Sequence, residues 1–409
     1  MIVNKIKCGH TSVRFSQQFT ALSDKHRYPQ FPLAIKTWGD NMVVLGRYNI
    51  EDSVLKPGTV LTSINGRKNK EIIETMFQYV STDGNSNNHK SQVLSNNFTA
   101  WYKTIFGIDS VLQIGYIDST LQEQFINIKA YTPKIDTTKK KTDSTKTIVK
   151  SVPKKPSKKQ VTAAKILGYR SMNIDTSLNT AFIRLTTFSK GNLRRFFRQS
   201  FKTIHEKQIK NLVIDLRENG GGSVETSTLL TRYLKDTSYK IGDTVVAINR
   251  KFQHKKNIQN WLQYWLLMHF DGRKMKDGLI HNRSCETRYF KPKKRHHFNG
   301  NIFIVQGGYT FSAATMFASS LKGQKNVTIV GEESGGGFYG NTAMRLPTIV
   351  LPNTKLKVGL PMYRLVMNKN RPKGRGIIPD IEVPPSSNAI KKGIDIKMQT
   401  VRDLIKKGQ

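Results

Sequence analysis

Cysteine is nearly absent from this chain of 409 residues, which has only Cys8 and Cys285. Two cysteines exclude a disulfide scaffold and any cysteine-rich zinc site, and the sequence leaves open whether they pair. Long apolar runs are missing as well. No stretch reaches the length that spans a bilayer. The opening Met1-Ile-Val-Asn-Lys-Ile-Lys7 has no apolar core of signal-peptide length. Acidic residues are scarce: 28 aspartates and glutamates face 67 lysines and arginines, a formal net charge of +39. Such a charge draws nucleic acid, anionic lipid or acidic protein over a Debye length. Outside one segment, however, the lysines are scattered as on a solvated surface. No paired Cys/His finger, aromatic sheet signature or Walker loop accompanies them, so no nucleic-acid partner is expected. No histidine or cysteine pair has the spacing of a helical zinc site, so neither a metal nor another cofactor is expected.

Hydrophobic residues make up 37% of the chain, enough for a sizeable core in two or three domains. Residues 1–28 form a short leading segment with Cys8-Gly9-His10-Thr11. Residues 29–132 read mostly as short strands: a hairpin over Pro32–Gly46, then Val60–Ile64 between the turns Pro57-Gly58 and Asn65-Gly66. Ile72, Ile73, Met76, Phe77 and Val80 have helical spacing. Asp83–Asn97 reads as a polar loop. Residues 133–160, rich in Lys, Ser, Thr and Pro, read as a linker. Strand and helix then alternate through residues 161–390, which argues for a parallel sheet with sites at the carboxyl ends of its strands. Thr237–Phe298 reads as an irregular insertion, and 391–409 as a basic C-terminal helix.

Ser312 stands where the strand Asn301–Gln306 gives way to a small-residue helix. There its hydroxyl is exposed, and the helix amino terminus offers free N–H groups to a developing oxyanion. An N-cap serine is the structural alternative. Asn219-Gly220-Gly221-Gly222 likewise follows the buried strand Asn211–Asp215 and can turn backbone N–H groups toward a ligand. Gly335-Gly-Gly-Phe-Tyr-Gly340 fits the dinucleotide glycine pattern, but strands rather than a helix follow it, and the fingerprint needs the helix. His296-His297 reads as basic surface.

Four motifs occur in order: Leu212-Val-Ile-Asp-Leu-Arg-Glu-Asn-Gly-Gly-Gly222, Tyr309-Thr-Phe-Ser-Ala-Ala314, Val330-Gly-Glu-Glu-Ser-Gly-Gly-Gly337 and Gly374-Arg-Gly-Ile-Ile-Pro-Asp-Ile-Glu-Val383. Together they resemble the tail-specific, or C-terminal processing, serine peptidases and their tricorn-like branch. The resemblance covers about Ala181 to the end. It implies an α/β, crotonase-like catalytic domain with a smaller PDZ-like, β-rich domain before it. It gives Ser312 the role of nucleophile, and Ala313 with Gly220 or Gly221 that of oxyanion hole. The lysine base of one branch has no counterpart in Gly335-Gly-Gly-Phe338. The tricorn-like branch uses a histidine in Gly-His-Thr, here His10. The glutamate that relatives carry ahead of Arg-Gly…Pro-Asp is missing from Arg371-Pro-Lys-Gly374, which leaves Asp380 or Glu382 as candidates to orient the base. The expected activity is that of a serine endopeptidase acting on polypeptide through an acyl-enzyme. A catalytically inactive relative that binds peptide or apolar ligand is the alternative. Relatives carry an export signal and a helical segment before Gly-His-Thr, so a shortened form is expected, periplasmic or cell-envelope if an upstream segment is missing. With nine residues ahead of it, His10 is expected on a weakly held, fraying segment. The sequence does not settle the oligomeric state.

Overall fold

The computed structural model describes residues 2–23, 26, 28–48, 54–133 and 157–408. The expected linker falls largely on 134–156, outside the described residues, and a helix capped by Ser157 already begins at Lys158.

A mixed α/β unit follows that helix. Its six-stranded sheet runs Ile381–Glu382, Val327–Gly331, Asn301–Gln306, Asn211–Asp215, Thr180–Leu185, Arg170–Asp175. All neighbours are parallel except the last pair. The apolar runs of the central strands have a direct cause. Leu212 and Ile214 enter one core with Ile302, Ile304, Ala181 and Ile183. Val213, Phe303 and Val305 enter the core on the opposite face. A parallel sheet covered on both faces needs apolar side chains in both registers. The first core is closed by helices Leu193–Glu206, Val224–Thr231 and Ala313–Leu321, the second by Ile396–Lys407. Residues 387–408 form two helices rather than one, broken at Gly393, whose φ of 65° is left-handed.

The expected insertion is ordered. Thr244–Ala247 and Ile280–His281 join Tyr363–Val366 and Gly340–Ala343 in a five-stranded antiparallel sheet, and Trp261–Asp271 is a helix. The N-terminal unit holds a second six-stranded sheet, with its own core around Phe31, Leu61, Ile73 and Tyr102.

Two expectations are corrected. The polar loop 83–97 contains the helix Asn87–Asn96, which starts on the Ser86 side chain and buries His89, Ser91 and Leu94. A further helix, Phe98–Phe106, follows it. The helix Asn87–Asn96 shows no apolar stripe because it is docked by polar groups: the Thr37 hydroxyl donates to the Ser91 carbonyl at 2.9 Å, and Ser95 Oγ accepts from the Thr37 N–H at 2.9 Å. Nor does the N-terminal segment fray. Ser12–Arg14 pairs antiparallel with Lys357–Gly359 over three residues, and Cys8 and Thr11 are buried. A strand pairing made across the whole chain is invisible to local sequence reading.

Candidate active site

The segment from Gly307 to Ser312 turns out of the strand Asn301–Gln306 and is held by buried hydroxyl and amide groups. Thr310 Oγ1 donates to the Leu216 carbonyl at 2.9 Å and accepts from the Gly307 N–H at 3.1 Å. The Phe311 N–H bonds the Asn219 carbonyl at 3.0 Å, tying the turn to the glycine run. These bonds hold Ser312 at φ 54° and ψ −122°, a conformation that costs an L-residue about 1–3 kcal/mol. An ordinary N-cap serine would be extended and would bond its own helix. Ser312 makes no such bond. Its Oγ instead lies 3.0 Å from Nε2 of His10, 302 residues away in sequence.

His10 reaches that position from the turn Cys8–Thr11. Gly9 is required there: a Cβ at Gly9 would sit 2.5 Å from the Phe311 ring. The His10 and His89 rings both pack on Phe311, with centroids 4.8 Å away. His89 bonds the Gly308 carbonyl through Nδ1 at 2.8 Å. Burial, and then the neighbouring His89, push the His10 pKa down to about 4, so the imidazole is neutral at physiological pH. His10 Nδ1 is buried and has no hydrogen-bond partner among the described residues.

Neither expected carboxylate bonds that nitrogen. Asp380 is an exposed turn residue, ion-paired with Lys322 and accepting the Ile329 N–H at 2.8 Å. Glu382 is exposed at the sheet edge, where Ile381–Glu382 pairs with Val330–Gly331. The carboxylate beside His10 belongs to Asp83. An oxygen of Asp83, a ring nitrogen of His10 and the Cys8 sulfur lie within 4.8 Å of one another. Asp83 accepts the Gly9 N–H at 2.8 Å and the Gly337 N–H at 3.4 Å. Burial raises its pKa to about 6 against the lowering effect of those two amides. Its neighbour Gly84 has φ 63° and packs on Gly374, and the Asn85 N–H bonds the Gly374 carbonyl at 3.0 Å. The loop carrying Asp83 therefore lies on the stretch where the resemblance led us to look for a glutamate. Asp83 and His89 both went unrecognised in sequence because their segment has neither apolar periodicity nor a motif.

Of the three expected oxyanion donors, the structure separates one. The Gly221 N–H donates to the Asn219 side chain at 2.9 Å and is not free. The N–H groups of Gly220 and Ala313 are not engaged by any described residue. Gly221 matters by its lack of a side chain. At φ 102°, a Cβ there would come within 2.7 Å of the Ser312 Cβ and 3.0 Å of the Ala313 nitrogen. We expect Gly221→Ala to lower kcat about a hundredfold, the effect of displacing a reacting group by about 1 Å. Steady-state rates beside a thermal melt check this, and kcat within twofold of the parent would refute it.

The run Gly335–Gly337 follows the same logic. A Cβ at Gly335 would sit 2.2 Å from the Gly308 carbonyl, and one at Gly336 would sit 2.3 Å from Thr315 Oγ1. These two positions have no room for a side chain, a lysine base included. Ser319 and Lys322, which fit a Ser-x-x-Lys spacing, bond Arg371 and Asp380 instead of the site. Asp215 and Arg217 anchor the strand end: Arg217 bonds both Asp215 and Asp395. Cys8 and Cys285 are both free and buried.

Among the described cavities, one of about 760 Å³ is lined by Arg184, Arg217 and Arg402 and meets none of Ser312, His10, Asp83, Gly220 or Ala313. A smaller cleft of about 320 Å³ meets Gly9, Gly220 and Phe311, with Val80, Trp101 and Tyr309 on its walls. Its walls include Gly9 and Phe311, the chain neighbours of His10 and Ser312.

This architecture is shared with solved structures. Mature CPAF matches with a TM-score of 0.61 and 14% identity over 98% of this chain and 85% of that one. Mature CPAF complexed with lactacystin matches with a TM-score of 0.62 and 14% identity over 98% and 86%. At that identity the likeness is one of fold. No curated protein matches the sequence. The chain belongs to peptidase family S41, whose family model matches residues 179–383. It is a serine-type peptidase, with polypeptide as its substrate class. Among the described residues, no helix is long and apolar enough to cross a membrane.

Proposed function

We propose that the chain is a serine endopeptidase working through an acyl-enzyme, with Ser312 as nucleophile and His10 as its base. The observation that carries this reading is the 3.0 Å approach of His10 Nε2 to Ser312 Oγ. As Oγ bonds to the scissile carbonyl carbon, its proton passes to Nε2, and the same proton then goes to the leaving amine. The carbonyl oxygen gains charge at the start of the helix Ala313–Leu321, where the free N–H groups of Ala313 and Gly220 receive it. Burial disfavours the imidazolium formed in this step, so a compensating charge has to lie close. Asp83 is the carboxylate close enough to supply it.

In this reading residues 161–390 form a crotonase-like catalytic domain. Residues 29–132 act as a PDZ-like domain that presents an extended substrate segment by strand addition. The cleft beside Gly220, walled by Val80, Trp101 and Tyr309, takes an apolar side chain of that segment. Family resemblance supports a periplasmic or cell-envelope site of action.

A fluorophosphonate probe tests the core of the proposal. We expect stoichiometric covalent labelling of the intact protein, mapped by peptide mass spectrometry to Ser312. Absence of labelling in a folded preparation would favour the inactive, ligand-binding alternative.

A further inference from the structure

We propose that Cys8, His10 and Asp83 form a zinc site directly behind the catalytic base, and that zinc bound there reversibly switches the peptidase off. The site rests on the ligand cluster itself, and the inhibitory effect rests on the reading of His10 as the base.

The three side chains offer a sulfur, a ring nitrogen and a carboxylate oxygen within 4.8 Å of one another. Tetrahedral zinc, with bonds of about 2.0–2.3 Å, needs ligands somewhat closer than that, a closure of about 1 Å. Nε2 of His10 is committed to Ser312. Nδ1 is the nitrogen left over, buried and without a partner. Cys8 is 5% exposed and Asp83 likewise buried, while His10 is half-buried. Each Asp83 oxygen receives one backbone N–H, which fixes the carboxylate and leaves lone pairs for a metal. Thr342 holds the Cys8 sulfur in place, its hydroxyl donating to Sγ at 2.6 Å and its carbonyl accepting from the thiol at 3.9 Å. A pocket of about 220 Å³ lined by Asp83 and Thr342 opens beside the cluster and gives a route from solvent. Lys7, Arg364 and Lys373 line the same pocket, and their charge opposes a dication. Hard cations, which gain little from sulfur, are excluded on both counts. The mixed sulfur, nitrogen and oxygen set selects zinc or its spectroscopic substitute cobalt(II). Three protein ligands leave a fourth position for water.

Binding is balanced by one proton. The Cys8 thiol releases its proton to solvent as the sulfur–metal bond forms, and the neutral imidazole donates the Nδ1 lone pair. A neutral imidazole bound through Nδ1 carries its hydrogen on Nε2. That nitrogen then donates to Ser312 Oγ and cannot accept its proton. The metal also occupies Asp83. One ion removes both the base and its counter-charge, without touching the nucleophile.

The test uses the intact, metal-free protein, titrated with cobalt(II) and zinc while absorbance and peptide hydrolysis are followed together. We expect uptake of one ion, a thiolate-to-cobalt charge-transfer band, loss of hydrolysis in proportion to occupancy, and recovery on adding EDTA. Cys8→Ser should lose the band and need about tenfold or more zinc for half-inhibition, measured against its own metal-free rate. Cys285→Ser should behave as the parent does. No uptake and no band would overturn the site. Equal zinc sensitivity in Cys8→Ser would place the metal elsewhere and overturn it too. Uptake with the thiolate band but undiminished hydrolysis would overturn the inhibitory role and count against His10 as base, an outcome distinct from a missing site.

Discussion

Ser312→Ala is expected to lower kcat by about 10⁵- to 10⁶-fold, the range seen when a triad nucleophile is removed, while leaving the fold in place. The separation of the two effects follows from geometry. The Ser312 side chain bonds no backbone of its own helix, so alanine deletes no cap. The strained backbone is held by neighbours, chiefly the Thr310 hydroxyl and the Phe311–Asn219 bond, which alanine leaves untouched. Stability should therefore change by less than about 1 kcal/mol. Hydrolysis at the parent rate by this variant, in a preparation free of contaminating peptidase, would show that another group attacks the substrate.

The second large effect is expected at Asp83. Asparagine keeps an oxygen for the Gly9 N–H, so the turn carrying His10 should survive the change. What is lost is the negative charge beside the imidazole that, in the proposed mechanism, becomes cationic as the substrate is attacked. Asp83→Asn should lower kcat by about 10²- to 10⁴-fold with little change in KM. Fluorophosphonate labelling should slow in parallel, since it depends on the same proton transfer. Unchanged folding, judged by a thermal melt, combined with kcat within twofold of the parent would remove Asp83 from the site. Asp83→Ala is the less informative variant, because it also strands the Gly9 and Gly337 N–H groups.

The parts of this site that could be read from sequence are those that local chemistry dictates. A buried strand covered on both faces must be apolar in both registers, which made Asn211–Asp215 and Asn301–Gln306 visible. The turns at their ends then marked Ser312 and the glycine run. His10 was reachable through its Gly-His-Thr context, and the reason for the glycine emerged from the Phe311 ring packed against it. Asp83 could not be found this way. It belongs to a segment that docks through hydroxyl and amide bonds, and such docking leaves no periodic trace. Asp380 failed as an orienter for a reason equally hidden in sequence: its carboxylate is taken by Lys322 and the Ile329 N–H. The resemblance leaves Gly220 or Gly221 as the second oxyanion donor, and the Gly221 N–H is engaged by a side chain two residues earlier.

The pairing of Ser12–Arg14 with Lys357–Gly359 also bears on when, during synthesis, the proposed site can assemble. His10 leaves the ribosome first, and Ser312 follows 302 residues later. At about 5–20 residues per second that interval is about 15–60 s. The strand that steadies the base is later still, some 45 residues beyond the nucleophile. In the proposed reading, a nascent chain therefore carries the base without its nucleophile, and then the nucleophile whose base has no sheet to rest on. In that reading the site is complete only once Lys357–Gly359 has been made and has paired with Ser12–Arg14.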